Sequence, residues 1–455
     1  MLARRHRQDG ARVVVLHDVK TDATIRVEER AWIVINGMDG TRDVAGLAAY
    51  ATAKGAPTKE DEVQTFVADL AAAGLVEDGV ASETPSSRSN SSSAGDRVIE
   101  HLPAFSLACD GRGTCCRFYP SVVFSPLEAA RARARLPMVE RAGLEERQAF
   151  TPLAGTDDRM LAVALVDGRC AYLEEDGRCG IHRAGSAEEK PLGCRVYPAR
   201  FVDDGTAIRA TPWLECTCVL RSGAEPPAGG DPLTSASHGR DLDPAIFIET
   251  LPAMVRIGDD TEDDAARVAA ISRRLAEIPI TDGVAALYSL GKALDEVGLD
   301  GAEAALISPV LPGATWIRPR LDILAPRIDR FSAETWRSLK DLPRQLAGAL
   351  ETACDLVRDL PDELLQGPGT YRNAEAFYVR ALLFGHQLVH PKGRLSMASM
   401  AYDRAFRVIL ARALGVVATL AEMQDPAFSQ PLALVEAAMR AYGLGGYARD
   451  LDPKR

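Results

Sequence analysis

The chain lacks the features that direct a protein into a membrane or onto nucleic acid. No stretch of its 455 residues approaches the roughly 18 consecutive apolar residues of a membrane-spanning helix. The basic N-terminus, MLARRHRQDG, is not followed by the apolar segment of about 7 to 15 residues that a secretory signal requires. A formal net charge of -11 gives no general attraction to phosphate groups. We therefore expect a cytoplasmic protein that binds neither nucleic acid nor a membrane.

Aromatic residues are also sparse, at 6% of the chain, whereas 47% of the residues are hydrophobic and 26% are charged. This is the composition of an ordinary globular protein with a helical bias. A chain of 455 residues is too long for one hydrophobic core, so we expect about two to four domains.

The pattern of the first 80 residues is typical of a small winged-helix-like domain. Two β-rich runs, at 13–16 and 24–27, predict a hairpin. Helices are predicted after it at 31–35, 44–53 and 59–74, and the stretch LVEDGV is predicted to form a short terminal strand. Two strands, three helices and a wing make a compact unit.

The rest of the chain divides by composition into four further parts. They are a flexible Ser-rich linker at 81–98, a loop-rich cysteine-cluster domain at 99–220, a Gly/Pro-rich loop at 221–242 and a domain of helical periodicity at 243–455. The predicted fold class is α+β, with an all-helical C-terminal domain.

The nine cysteines are unevenly distributed. Eight of them lie in one segment, at Cys109, Cys115, Cys116, Cys170, Cys179, Cys194, Cys216 and Cys218. Disulfides rarely persist in a reducing cytosol, and clustered thiols there are more often metal ligands or redox groups. The ninth, Cys354, lies in the helical stretch ETACDLVRDL and is expected to be a small buried hydrophobe.

The first cysteine stretch, ACDGRGTCCRFYP, has the glycines that a tight loop needs. Gly111 and Gly113 allow Cys109 and one thiol of the vicinal pair to converge on a common centre. Adjacent thiols rarely chelate one ion with ideal geometry. One of Cys115 and Cys116 is therefore expected to be a ligand, while the other packs, serves a second metal or reacts.

A helix is predicted just after this stretch. Ser125-Pro-Leu-Glu128 has the residues of a capping box with proline at the first helical position. Such a helix would support the cysteine loop.

The second stretch, DGRCAYLEEDGRCGIH, places Cys170 and Cys179 on either side of a turn at 175–177, which would bring the two sulfurs together. Cys194 follows in KPLGCRVYP. Soft thiolates favour zinc or iron-sulfur clusters over calcium and magnesium. There are two other interpretations. The clustered thiols are inert and buried, or they bind a structural zinc ion that only stabilises a loop-rich fold.

This arrangement resembles the YkgJ family of cysteine-cluster proteins, described as a zinc- or iron-chelating domain. The stretch CAYLEEDGRCGIHRAGSAEEKPLGCRVYPARF is also similar to the flagellin lysine-N-methylase family. The resemblance covers about 105–218 and lies chiefly in the CC and CR-x-YP elements. It implies an iron-sulfur or zinc centre whose ligands are Cys109, Cys115, Cys116, Cys170, Cys179 and Cys194.

One ligand of the family pattern is missing, because Arg112 stands where a further cysteine usually precedes the CC pair. Cys216 and Cys218, in WLECTCV, are candidates to replace it, although C-x-C spacing gives only one of them easy access to a shared ion. His182 is a further candidate, and its other interpretation is an ordinary surface residue.

The N-terminal domain resembles the PqqD-like winged helices that recognise peptides in peptide-modification systems. The resemblance is carried by WIVINGMDGTRDVAGLAAY and VQTFVADLAAAGLVED. It implies that a protein or peptide substrate binds by adding a strand to an exposed sheet edge.

These resemblances imply a metal-containing enzyme that modifies a protein side chain, such as a lysine N-methylase that uses S-adenosylmethionine. The glycine-rich loop of a doubly wound methyltransferase and the CxxxCxxC spacing of radical enzymes are absent from the sequence, which does not locate a site for that cofactor. The alternative is a non-catalytic protein that acts as a scaffold for interactions and whose fold is stabilised by structural zinc.

Other polar residues have weaker claims to a functional role. His386 and His390 are four residues apart in FGHQLVH, but no acidic residue stands between them as in an HExxH site, so a helix end is the favoured interpretation. Four more side chains either line the metal loop or pack in the ordinary way: Glu128, Arg195, Tyr197 and Arg200.

Overall fold

The computed structural model describes most of the chain, with gaps. The described residues are 2–8, 11–18, 23–38, 42–72, 98–118, 122–136, 150–152, 161–166, 169–186, 189–227, 233, 248–332, 342–359, 361–366, 371–390 and 394–441. The strand predicted at 75–80, the Ser-rich linker up to residue 97 and most of the loop predicted at 221–242 lie outside them.

The fold is α+β, as predicted, and its contacts group the chain into two compact units. The first comprises Met1–Ser93 and Pro120–Ala171, and the second comprises Ala94–Tyr119 and Tyr172–Arg455. The stretch 99–220, which we expected to form one domain, therefore contributes to both units. Cys170 belongs to the first unit, whereas the other clustered cysteines belong to the second.

The strands are short and follow one another as β1 Leu2–Gln8, β2 Ala11–Asp18, β3 Ala23–Glu28, β4 Ile99–His101, β5 Val123–Phe124, β6 Phe150–Pro152, β7 Leu161–Val163, β8 Leu165–Val166, β9 Arg169–Cys170, β10 Ala199–Asp203, β11 Ile208–Pro212, β12 Ile248–Thr250, β13 Met254–Arg256 and β14 Glu262–Asp264.

The helices are α1 Glu29–Gly37, α2 Val44–Ala53, α3 Glu60–Ala72, α4 Thr114–Phe118, α5 Pro126–Arg135, α6 Gly180–Ala184, α7 Leu192–Val196, α8 Thr217–Ala224, α9 Ala265–Leu275, α10 Gly283–Glu296, α11 Ala302–Ile307, α12 Ala314–Ser332, α13 Leu342–Asp359, α14 Pro361–Gln366, α15 Arg372–Phe384, α16 Met397–Leu420 and α17 Pro431–Ala441. No helix in the described part of the chain is both long and apolar enough to cross a bilayer.

In the first unit, the predicted hairpin is confirmed as the antiparallel pair β2 and β3. Strand β1 extends it on the other side, and β1 also pairs in parallel with β8, so the sheet order is β3-β2-β1-β8-β9. A second sheet has the order β5-β7-β6. The first sheet thus joins residues that are far apart in sequence, and β3 forms one of its edges.

The three predicted N-terminal helices are confirmed as α1, α2 and α3. The carboxylate of Asp43 accepts a hydrogen bond from Gly46 N–H at 2.8 Å and so caps α2. Val34, Leu47 and Val63, one from each helix, are buried together in a small core. The capping box of α5 is confirmed too, since Ser125 and Glu128 each bond the other's backbone N–H.

In the second unit, helix α16 lies at the centre of a large apolar core, and α10, α13 and α17 pack around it. Apolar residues occur on nearly all sides of α16, which is why it can be buried on several faces at once. A sheet with the order β12-β10-β11-β4 belongs to the same unit.

Two element limits in this unit differ from the segments expected from the sequence. Residues 221–224, assigned to the Gly/Pro-rich loop, form the last turn of α8; Gly223 lies within that turn, and the prolines begin only at Pro226. The helical domain predicted from 243 starts with the strands β12, β13 and β14 before its first helix. Three-residue strands are too short to show a period-two pattern.

Candidate metal centre

The loop from Cys109 to Gly113 turns back on itself through two glycines. Gly111 and Gly113 both have φ of +67°, in the left-handed region that glycine adopts without a Cβ penalty. The N–H of Arg112 donates to Asp110 Oδ1 at 3.0 Å, and α4 begins directly after the loop. The tight turn predicted for this stretch is thereby confirmed.

A second turn packs directly against this loop. A Cβ at Gly113 would overlap the carbonyl oxygen of Gly177, and a Cβ at Gly177 would lie 2.6 Å from the carbonyl oxygen of Arg112. The turn at 175–177 forms as predicted, with Gly177 N–H donating to Glu174 O at 3.0 Å. Only glycine at both positions allows the two backbones to approach this closely.

Three ligand atoms converge beside the loop. The sulfurs of Cys109 and Cys218 and a carboxylate oxygen of Asp110 all lie within 4.8 Å of one another. The thiol of Cys218 donates to Asp110 Oδ1 at 3.3 Å. Cys109 and Asp110 are exposed, whereas Cys218 is buried, so the group is open to solvent on one side.

Helix α8 fixes this geometry. Its first residue follows Cys216, and Cys218 lies in its first turn. One turn later, the guanidinium of Arg221 donates to Asp110 Oδ2 at 3.0 Å and to the carbonyl of Ala108 at 3.3 Å. The helix therefore holds the backbone and the carboxylate of the loop while presenting a thiol to it.

The pKa values of both thiols in this group are raised. The hydrogen bond with Cys218 and then burial raise the pKa of Cys109 well above its usual value. The hydrogen bond with Cys109 lowers the pKa of Cys218, but the bond with Cys216 and burial outweigh it and raise that pKa. Without a cation the thiols stay protonated. A bound metal would replace these protons, as thiolate ligands require.

The carboxylate of Asp110 behaves in the opposite way. Burial raises the pKa of Asp110, but hydrogen bonds from Arg112 N–H, Cys218 and Arg221 outweigh it and hold the pKa below its usual value. The carboxylate is therefore ionised at neutral pH and gives the group a negative charge.

The size and the donor types of the group fit a thiophilic metal. Zinc–sulfur bonds of about 2.3 Å in a tetrahedral site place two ligand sulfurs about 3.8 Å apart. Side-chain movements of about 1 Å would suffice to reach that spacing from the observed limit of 4.8 Å. Two sulfurs and one carboxylate oxygen suit zinc or iron better than calcium or magnesium.

The vicinal pair lies close to this group but is not part of it. The sulfurs of Cys115 and Cys116 are 4.0 Å apart in α4. The pKa of Cys115 is lowered, chiefly by the hydrogen bond with Cys116. Burial and the charge of Cys109 raise this pKa, whereas the charge of the nearby Lys190 lowers it further. Cys115 is therefore near enough to Cys109 to respond to its charge.

The remaining predicted ligands are not part of the group formed by Cys109, Asp110 and Cys218. Cys179 precedes α6 and Cys194 lies in α7, both half-buried. Cys170 lies in β9 of the first unit. In the part of the chain that the structure describes, the group of Cys109, Asp110 and Cys218 is the only one with three such ligand atoms this close together.

Sequence reasoning missed Asp110 and Arg221. A single carboxylate in a loop has no periodicity, and the only available signal was its position directly after Cys109 in the stretch CDG. Arg221 was hidden because we had assigned it to a loop, whereas α8 presents it to Asp110.

Three other polar candidates, Glu128, Arg200 and His386, have structural partners. Glu128 closes the capping box of α5. Arg200 is buried, pairs with Glu249 at 2.6 Å and donates to the carbonyl of Gly385 at 2.8 Å. His386 is buried beyond the end of α15 next to Asp204, and His182 is exposed in α6.

Cys354 is buried in α13 among apolar side chains, as predicted, and burial raises the pKa of its thiol to about 12.

Comparison of the chain with protein-family models, with curated proteins and with solved structures found no match.

Proposed function

We propose that the chain is a metal-binding protein whose ion is held by the thiols of Cys109 and Cys218 together with the carboxylate of Asp110. The observation that carries the proposal is the convergence within 4.8 Å of three ligand atoms, although Asp110 and Cys218 are 108 residues apart in sequence. Cys216, which shares a hydrogen bond with Cys218, offers a further thiol.

The identity of the metal is tested by purifying the protein without oxygen and measuring iron, acid-labile sulfide and zinc per chain, together with the visible absorption spectrum. Iron with sulfide and a broad visible band would indicate an iron-sulfur cluster. Stoichiometric zinc in a colourless protein would indicate a zinc centre. A protein that retains neither metal, and takes up neither when it is added, contradicts the proposal.

We further propose that this centre serves an enzyme that modifies a protein or peptide, such as a lysine N-methylase with S-adenosylmethionine as methyl donor. The exposure of Cys109 and Asp110 supports an open site that a substrate can reach, and the sequence resemblance over about 105–218 supplies the reaction class. Labelled S-adenosylmethionine should transfer its methyl group to a protein of the same cell. Absence of transfer by the metal-loaded protein would argue against this activity.

The alternative is a scaffold in which zinc has only a structural role. The burial of Cys218 and the hydrogen bond from Arg221 to Asp110 favour this structural role. Under this alternative the metal has four protein ligands and no bound small molecule, and Cys218→Ala unfolds the second unit. A Cys218→Ala protein that stays folded but is inactive supports the enzyme instead.

For the N-terminal part we propose a PqqD-like winged helix that binds the peptide substrate along β3. The support is that β3 is an edge strand of its sheet among the described strands, and an edge strand offers its backbone groups to an added strand. Successive N–H groups of a strand point to opposite sides. Proline at one of Arg26 and Val27 should therefore abolish peptide binding without unfolding the sheet, and peptide binding by both variants would contradict this role.

A further inference from the structure

A second candidate site, which has no cysteine among its described lining residues, is a cavity of about 550 Å³ within the second unit. Its walls come from the end of α8, from the end of α9 and the residues that follow, and from α15. Pockets for small molecules commonly have volumes of about 300 to 1,000 Å³. The cavity is therefore large enough for a ligand with one or two rings.

The interior of the cavity is apolar and already formed. Leu102, Ala276, Phe377 and Phe384 line it, and each is less than a tenth exposed. The ring of Phe377 stacks on Phe105 with a centroid distance of 5.1 Å and an interplanar angle of 26°. A flat aromatic surface held in this way is suited to an apolar ring or chain.

Helix α8 also restricts Phe377. Gly223 lies so close to its ring that a Cβ at this position would overlap the ring atoms. The ring therefore has little freedom to close the cavity, and a ligand would not have to displace it.

One cation in the cavity lacks an anionic partner. Arg380 lines the wall with its guanidinium 5.7 Å from the centroid of Phe377. Its Nε is buried without a hydrogen-bond partner, and no carboxylate among the described residues pairs with it. Burial lowers the pKa of Arg380. An acceptor in the cavity would satisfy an N–H group that is otherwise costly to bury.

The charges at the rim favour an anion as well. Arg273 lines the cavity and is 45% exposed, and its nearest acidic partner, Glu100, is 3.6 Å away. Glu277 is the one acidic residue among the described lining residues, and it is exposed. Glu100 offsets the charge of Arg273, so Arg380 is the lining cation that an anionic ligand would neutralise.

We propose that this cavity binds a small organic anion, in which a carboxylate or phosphate group bonds to Arg380 and an aromatic or aliphatic body packs on Phe377 and Phe384. The planar guanidinium matches both anionic groups through two parallel hydrogen bonds. The competing explanation is that Arg380 only covers Phe377 by a cation–π contact. In that case charge on a ligand would not matter.

The test uses two ligands of nearly the same shape that differ in charge. Naphthylacetate and the neutral naphthylacetamide are titrated into the full chain by calorimetry, and naphthyl phosphate is titrated to separate the two anionic groups. We expect one of the anions to bind to the chain with unit stoichiometry and the amide to bind at least about tenfold more weakly. Equal affinity for acid and amide, or no binding by either anion, overturns the proposal.

Matched variants locate the binding. Arg380→Gln should weaken the anion at least about tenfold, whereas Arg358→Gln, at an exposed position of α13 outside the cavity, should leave the affinity unchanged. Ala376→Trp, which fills the cavity from α15, should abolish binding. Melting curves check that each variant is folded. Retention of full affinity by folded Arg380→Gln would show that the anion binds elsewhere.

Discussion

At the scale of single residues, a buried histidine lies next to a buried carboxylate. His386 Nε2 is 3.3 Å from Asp204 Oδ2, and both side chains are almost fully buried. Burial lowers the pKa of His386 below the usual 6.5, and the charge of Asp204 opposes this only in part, while Arg209 and Arg200 add to it. The imidazole is therefore held in its neutral form.

This arrangement predicts a loss of stability in weak acid. Because the pKa of His386 is lower in the folded than in the unfolded chain, the unfolded chain binds more protons below about pH 6.5. The free energy of unfolding should then fall as the pH drops below that value, by at most about 1.4 kcal/mol per pH unit for one proton. Urea unfolding at several pH values measures this loss.

The variant His386→Asn is the control, because asparagine tolerates the φ of +50° found at this position and does not titrate. Its free energy of unfolding should depend less on pH between 5 and 6.5 than that of the parent. Identical slopes for the two proteins would show that His386 is not the titrating group.

At the scale of elements, the two cysteine-bearing loops of the second unit depend on a contact between glycines. Gly111 and Gly113 share the same φ of +67°, but nothing lies within 4 Å of a Cβ at Gly111, whereas a Cβ at Gly113 meets the backbone of Gly177. The two positions therefore separate backbone strain from close packing.

We expect Gly111→Ala to cost only the left-handed strain, about 1 to 2 kcal/mol. Gly113→Ala should cost about 1 to 3 kcal/mol more, because the two loops must move apart. It should also release the metal, whereas Gly111→Ala retains it. Urea unfolding and metal analysis of both variants give the comparison, and equal effects would show that the contact between the loops is not needed.

At the scale of the whole second unit, one buried arginine connects four helices. Arg412 in α16 pairs with Glu375 in α15 and with Asp282 before α10, and it donates to the carbonyl of Leu365 in α14. Arg412 and Glu375 are both buried. Removing one partner of such a pair leaves a charge without compensation.

Arg412→Met should therefore reduce the free energy of unfolding by about 3 to 5 kcal/mol. Arg358→Met, at an exposed position paired only with Asp355 at 2.8 Å, should change it by less than about 0.5 kcal/mol. Chemical unfolding of both variants measures the difference. Similar small losses would mean that the helices are held by apolar packing alone.

The thiol group and the cavity share one structural element in this unit. Cys218 lies in the first turn of α8, and Gly223 and Ala224 line the cavity from its last turn. At a rise of about 1.5 Å per residue, the two ends are about 9 Å apart. A ligand in the cavity would therefore lie close to the proposed metal.

Local patterns predicted much of this fold, and long-range pairing did not emerge from them. The hairpin of β2 and β3, the capping box at Ser125 and the tight loop at Gly113 each depend on residues close together in sequence. The parallel pairing of β1 with β8 joins residues about 160 positions apart, for example His6 with Leu165. No local periodicity encodes such a contact.

The same distinction applies to the candidate site. Cys109 and Cys218 were identified by residue type alone, because clustered thiols are rare. Asp110 and Arg221 are common residue types, and their roles depend on how α8 is oriented against the loop. Their contributions therefore became visible only in three dimensions.

The most direct test of the central claim is the metal content of two cysteine variants. Cys218→Ser removes a thiol of the proposed centre, and Cys354→Ser removes one that is buried in α13 away from it. After purification without oxygen, metal per chain should fall sharply in Cys218→Ser and match the parent in Cys354→Ser. Full metal content in a folded Cys218→Ser protein would contradict the account.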